Sequence, residues 1–290
     1  MADYQIITDA ACDITVALLE QLHITVIPME LNFGEEVFAS YPDDREISAK
    51  QFYDRLRHGE VAKTSQVKLN QFLEYFTSVL KEGKDILYIS FSSGLSGTYS
   101  ASLLAAEHLK ENFPQSKITC VDTLAASLGE GLLVYTAAKL KEQGKTLEEV
   151  QQWLLENRLN LVHLFTVDDL AFLKRGGRCS SLSAFVGTML HIKPLLHVDD
   201  EGKLMPQEKI RTRKKLFEVM VERMAALAIE PEKQVVCISH GDDLAGAETL
   251  AELIKNKLGT QDFIINNVCP LVGSHSGPGT IALFFFGRHR

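Results

Sequence analysis

The chain has 290 residues, 46% of them hydrophobic and 23% charged, with a formal net charge of -8. That length and apolar share support buried cores in one large or two ordinary domains, and the acid excess argues against a role built on neutralising nucleic-acid phosphates. The five cysteines (Cys12, Cys120, Cys179, Cys237 and Cys269) are odd in number and include no C-x-x-C pair, which argues against a disulfide framework and a zinc site and points to a reducing cytoplasm.

In chain order, Gln5-Ile6-Ile7-Thr8 reads as a buried strand ending at Asp9, followed by a helical pattern over Ile14 to Leu19 and a strand over Ile24 to Met29. An irregular acidic loop to about Arg45 is expected next. Ile47 to Arg57 and Leu69 to Leu80 have helical spacing, Ile86 to Ser90 reads as a strand, Ala101 to Phe113 as a helix, Ile118 to Val121 as a strand and Gly129 to Lys141 as a helix. Strands separated by helices of this length imply right-handed crossovers and a parallel sheet covered on both faces. Thr146-Leu147-Glu148-Glu149 fits a capping box opening a helix to about Asn157.

Beyond that helix the texture changes. Leu161 to Val167 reads as a strand, followed by a helical stretch broken at Gly176-Gly177. Ile192 to Val198 and Lys203 to Glu208 flank the hairpin signal Asp199-Asp200-Glu201-Gly202. Helices over Thr212 to Ala228 and Leu244 to Leu258 alternate with strands over Val235 to Ser239, Phe263 to Val268 and Thr280 to Phe286. The expected architecture is therefore α/β with two domains. Residues 1–157 would form a three-layer α/β/α parallel-sheet domain, and residues 158–290 a two-layer α/β domain on a mixed sheet. No apolar run reaches the length of a membrane span, and Met1-Ala2-Asp3-Tyr4 leads into the first strand without a signal-like leader.

Ser92-Ser93-Gly94-Leu95-Ser96-Gly97-Thr98-Tyr99 is the most informative stretch. Hydroxyls and glycines at a strand-to-helix turn set side-chain donors beside free backbone N–H groups, an arrangement suited to an anion. Lys63-Thr64-Ser65-Gln66 reads either as a helix cap or as a second hydroxyl turn; strand carboxyl ends and helix starts share one edge of a parallel sheet, which can bring Thr64 and Ser96 together. Ser96 also sits in a sequence that departs from G-x-S-x-G only at Thr98, so an esterase or acyl transferase using Ser96 as nucleophile is the rival reading; His240, His275, Asp122 and Asp242 are its conceivable partners.

Leu173-Lys174-Arg175-Gly176-Gly177-Arg178 reads as a cationic helix end, or as a site where Arg175 or Arg178 faces an anion. Five bases in Lys209-Ile210-Arg211-Thr212-Arg213-Lys214-Lys215 oppose a helix dipole, an unfavourable placement that suggests a use. Gly273-Ser274-His275-Ser276-Gly277-Pro278-Gly279 reads as a glycine-rich turn that lets backbone approach a ligand closely.

Taken together, Ile7-Thr8-Asp9, Lys63 to Gln66, Ser93 to Tyr99, Leu173 to Arg178, Arg211 to Lys214 and Gly273 to Gly279 resemble, in order and across nearly the whole chain, the DegV family of bacterial fatty-acid-binding proteins. Val67 departs from the proline that the family often carries after T-S-Q. The resemblance implies no enzyme activity, no cofactor and no metal. It implies one long-chain fatty acid (palmitate- or oleate-like) held between the domains, its carboxylate on Thr64 and Ser96 with Ser65 and Gly97 as helpers. His275, Arg211 and Arg175 would lie near the carboxylate or its phosphoryl transfer. The best-understood members present the acid to a separate fatty acid kinase subunit, whose acyl phosphate product enters phospholipid synthesis, and transient membrane-surface contact fits that traffic. Phe185, Val186, Met189, Leu190 and Ile192 are candidates for the tail tunnel, or equally for plain core. Burying about 14 methylenes at about 0.8 kcal/mol each gives on the order of 11 kcal/mol gross, so the tail should dominate affinity.

Overall fold

The computed structural model describes residues 3–179 and 192–290. Its first half is organised on a four-stranded parallel sheet in the order β2-β1-β6-β7, made of β1 (Tyr4–Asp9), β2 (Thr25–Ile27), β6 (Asp85–Ser90) and β7 (Ile118–Asp122). The run Ile86-Leu87-Tyr88-Ile89 is fully buried, as a strand covered on both faces must be. One face packs on α3 (Leu69–Lys81) and α4 (Thr98–Lys110), where Phe72, Phe76 and Tyr88 meet edge-on or tilted. The other packs on α5 (Leu128–Glu142), which follows β7, and on the short α1 (Val16–Gln21). The capping box at Thr146 opens α6 (Leu147–Asn157) as the sequence indicates.

The stretch read as an acidic loop instead folds as a hairpin of β3 (Met29–Phe33) and β4 (Glu36–Ser40), joined by β5 (Ala62–Thr64) into a three-stranded antiparallel sheet. Met29, Leu31 and Phe33 alternate inward, and Gly34 turns at φ 60°, a conformation glycine adopts without strain. α2 (Ala49–Arg57) covers this sheet, with Phe52 and Tyr53 buried against it.

The second half forms a six-stranded mixed sheet in the order β10-β9-β8-β13-β11-β12. Its strands are β8 (Leu161–Thr166), β9 (Lys193–Val198), β10 (Leu204–Ile210), β11 (Val236–His240), β12 (Phe263–Asn267) and β13 (Ile281–Phe286). Only β11 and β12 run parallel. α8 (Arg213–Leu227) and α9 (Leu244–Leu258) cover one face through Leu216, Met220, Met224, Leu250 and Ile254. The opposite face carries Leu161, Phe165, Ala282 and Phe284 into the same apolar cluster as α5. α5 is thus enclosed by both sheets, which explains why it is apolar around most of its circumference. Among the described residues two short helices, α7 (Leu170–Gly176) and α10 (Pro270–Ser276), also belong to this half. The second replaces the expected glycine-rich turn: Pro270 starts it, and Ser274 Oγ donates to the Pro270 carbonyl.

Candidate functional site

Buried carboxylates fix the turn between β6 and α4. Asp9 accepts hydrogen bonds from Ala11 N–H, from Phe91 N–H at 3.1 Å and from the Tyr88 hydroxyl at 2.8 Å, and Asp122 accepts from Ser93 N–H at 3.1 Å. Burial pushes the Asp9 carboxyl upward despite these donors. Ser92 Oγ donates to the Gly202 carbonyl, and a Cβ on Gly94 would stand 2.5 Å from the Glu201 carbonyl oxygen, so the β9–β10 turn seats directly on this turn. At its end Ser96 Oγ accepts from Thr98 N–H at 3.2 Å and lies 2.9 Å from the Thr98 hydroxyl.

Thr64 reaches the same place by a route that the sequence did not disclose. It is the last residue of β5 in the small antiparallel sheet, and Lys68, not Thr64 or Ser65, is the N-cap residue of α3. Ser65 N–H instead donates to the Glu30 carbonyl. The two hydroxyl turns touch: Val67 N–H donates to Thr98 Oγ1 at 3.3 Å, and a Cβ on Gly97 would lie only 2.1 Å from Gln66 Oε1. Glycine at 97 is what lets them close up.

The second half supplies His275 from α10. Its Nε2 lies 3.0 Å from Thr64 Oγ1, while its Nδ1 is buried beside Gly176 with no partner among the described residues. Burial, reinforced by the Arg178 charge, pushes the ring down to about 4, so the imidazole is neutral near pH 7. Donation from Nε2–H to Thr64 leaves Nδ1 a bare acceptor, which costs less than a stranded N–H, and frees the Thr64 proton for another acceptor.

Thr64, Ser65, Gln66, Ser96, Gly97 and His275 all line one cavity of about 340 Å³, within the usual range for small-molecule sites. Its other walls are mainly apolar and come from both halves: Met29, Phe91 and Leu95 on one side, Phe165, Val198, Leu204, Leu271 and Phe284 on the other. Arg178 lines it too, with a guanidinium nitrogen donating to the Gly176 carbonyl at 2.6 Å. A second cavity of about 270 Å³ shares Thr64, Arg178 and His275 and adds Lys63, Glu60 and Arg175. Arg175 lies there over the Phe172 ring, 4.8 Å from its centroid.

Arg211 is exposed just before α8 and lines neither cavity, as does half-buried Ile192. Phe185, Val186, Met189 and Leu190 lie outside the described residues. Sequence reasoning missed Gln66 and the walls from β8 and β13; the histidine inside the otherwise apolar run Leu161 to Phe165 was the available signal.

Among the described residues the cavity sets neutral donors and the Arg178 guanidinium beside an apolar chamber, an arrangement with the chemistry to suit an amphiphilic anion. Among the described residues no base contacts Ser96, whose side chain meets Thr98. His240 Nδ1 accepts from Asp243 N–H, Asp242 pairs with Arg57, and Asp122 is engaged by Ser93 and Leu124 N–H groups. Among the described residues no group of three or more histidines, cysteines and acids is placed to hold a metal ion, and no helix is long and apolar enough to cross a membrane.

Comparison with known proteins agrees with this architecture. A DegV domain-containing protein of Clostridium perfringens, CPE0026, is 42% identical over 287 residues, covering 99% of this chain and 98% of its own. The structure of a DegV family protein from Thermus thermophilus, described as fatty-acid binding, superposes with a TM-score of 0.90 at 29% identity, covering 99% of this chain and 100% of that one. DegV of Bacillus subtilis, described as a fatty acid binding protein, superposes with a TM-score of 0.83 at 28% identity and the same coverage. A further DegV structure, from Thermotoga maritima, is described as that of a lipid binding protein and superposes with a TM-score of 0.87 at 29% identity, covering 99% of each chain. With the family model for uncharacterised DegV proteins matching residues 3–288, the chain belongs to the DegV family.

Proposed function

We propose that this protein binds one long-chain fatty acid and presents its carboxylate to a separate kinase subunit in the cytoplasm. The observation that carries the binding reading is the joining of two hydroxyl turns and His275 on the wall of a largely apolar cavity of about 340 Å³. Thr64 and Ser96 donate to the carboxylate, Ser65 and the Gly97 N–H assist, and the tail occupies the chamber between the sheets. A carboxylate entering apolar surroundings needs such donors or takes up a proton instead. The fatty-acid binding described for the Thermus and Bacillus proteins supports the same ligand class.

The kinase role rests on the family resemblance. The second cavity, with Lys63, Arg175 and Arg178 around the far side of Thr64 and His275, gives a phosphoryl group a cationic approach. Exposed Arg211 is available to a partner protein, and the acyl phosphate would feed phospholipid synthesis after transient contact with the membrane surface.

Mass spectrometry of the purified protein under denaturing conditions tests the binding reading. Stoichiometric fatty acid is expected from the wild type, with about tenfold or greater loss of affinity in Thr64→Val and in Ser96→Ala, each of which removes a hydrogen bond to a charged group. No fatty acid after incubation with palmitate or oleate would sink the reading. For the second step, ATP-dependent acyl phosphate formation by a fatty acid kinase subunit should require this protein and fall with Arg211→Ala at unchanged lipid content.

A further inference from the structure

His163 stands in the middle of β8 and lines the main cavity, yet it belongs to neither hydroxyl turn. It is only 2% exposed, and among the described residues neither ring nitrogen has a hydrogen-bond partner. The backbone group acting on the ring is the Leu161 carbonyl on the same strand, which lies outside hydrogen-bonding geometry. Buried polar atoms are nearly always paired, and leaving one unpaired costs about 1–3 kcal/mol, so an imidazole with two unpaired nitrogens calls for an explanation.

The surroundings are built to keep the ring where it is. Phe284, opposite His163 on β13, meets it edge-on with centroids 5.2 Å apart and planes at 85°. Glycine at 129 makes room for it: a Cβ there would stand 2.4 Å from His163 Nε2. Burial and the Arg290 charge keep the ring neutral, so it offers one donor and one acceptor rather than a cation. His163 is three residues from Thr166, which pairs with Ile281 at the end of β13 nearest α10. Strand rise places it about 10 Å along the sheet from the end adjoining α10, the helix that carries His275.

We propose that His163 forms a second polar subsite in the tail chamber, suited to a fatty acid carrying a mid-chain hydroxyl. A hydroxyl both donates and accepts, so it pairs with the neutral ring in either tautomer, whereas a saturated chain leaves both nitrogens unpaired. The inference rests on the fatty-acid reading above and refines its ligand class.

Competition binding with stearate and 12-hydroxystearate on the full chain tests it, using wild type, His163→Leu and His163→Gln. The hydroxystearate-to-stearate affinity ratio should fall about fivefold or more in His163→Leu, the size of one neutral hydrogen bond, and recover in His163→Gln. Because each ratio is internal to one variant, a general loss of stability in His163→Leu does not mimic the effect. If both acids bind and the ratio is the same in all three proteins, the imidazole serves only packing or a resident water, and the proposal is overturned. If neither acid binds the wild type, the fatty-acid reading itself is what fails.

Discussion

Replacing His275 with glutamine and following urea unfolding between pH 7 and pH 4 isolates the energetic signature of the cavity head. An unperturbed histidine titrates near 6.5, whereas His275 in the folded chain is pushed down to about 4 by burial and then by the Arg178 charge. Between those values the unfolded chain binds a proton that the native ring refuses. Its contribution is therefore fully present above about pH 6.5 and is lost as pH falls through about 4. A gap of about 2.5 pH units at about 1.36 kcal/mol each gives on the order of 3 kcal/mol. Asp13 runs the other way: burial pushes its carboxyl up to about 7, so its contribution is fully present below about pH 4 and is lost as pH rises through 7. The two partly cancel in the wild type, which is why the difference between wild type and His275→Gln is the quantity to read. That difference should change by about 3 kcal/mol across the window, and the ring resonances in NMR should titrate near pH 4. A constant offset between the two curves, or a His275 titration above pH 6, would refute the reasoning.

Three further outcomes are expected. Glu130 is fully buried, accepts from the Thr8 hydroxyl at 2.8 Å through one oxygen, has no partner for the other among the described residues, and is pushed well above the carboxylate range by burial. Relative to Glu130→Gln, the wild type should lose stability as pH rises above about 4.5, because only the unfolded chain ionises freely there; parallel unfolding curves from pH 4 to 8 would contradict this. In Gly176→Ala the new methyl meets His275 Nδ1 at 2.2 Å, so the ring must leave Thr64; calorimetry should show weaker fatty-acid binding, and NMR a His275 titration shifted toward 6.5. Tyr53 donates from full burial to the Val268 carbonyl at 2.8 Å, linking α2 to the segment before α10, and Tyr53→Phe should cost about 1–3 kcal/mol in chemical unfolding; a cost near zero would show that the carbonyl finds another donor.

Much of the fold was legible because its elements carry strong periodicity. The buried runs at β6 and β13 and the helical spacing of α3, α8 and α9 match the sequence reading to within a few residues. The β3–β4 hairpin was missed because its acids dominate the eye, although Met29, Leu31 and Phe33 keep period two around Gly34. α10 was read as a turn because three of the seven residues Gly273 to Gly279 on which that reading rested are glycines, and helix propensity is weak there; Pro270 at its first position was the overlooked start signal. The hydroxyl turns at Thr64 and Ser96 announced themselves through turn chemistry. Their contact through Gln66, Gly97 and Thr98 depends on how a separate small sheet packs, which local sequence does not encode. The same holds for Phe165, His163 and Phe284: alternation puts them on one side of a sheet, and only the docking of α5 turns that side into a chamber wall.

The hydrogen bond between Thr64 and His275 spans the seam between the two halves, one partner on β5 and the other on α10. On the fatty-acid reading proposed above, an excursion that parts the halves far enough to free a hydrocarbon tail would also pull His275 away from Thr64, while Thr64 and Ser96 stay together on the first half. Unloading would then coincide with loss of the His275 contact, and the residence time of a bound acid would be set by how firmly the seam is held shut.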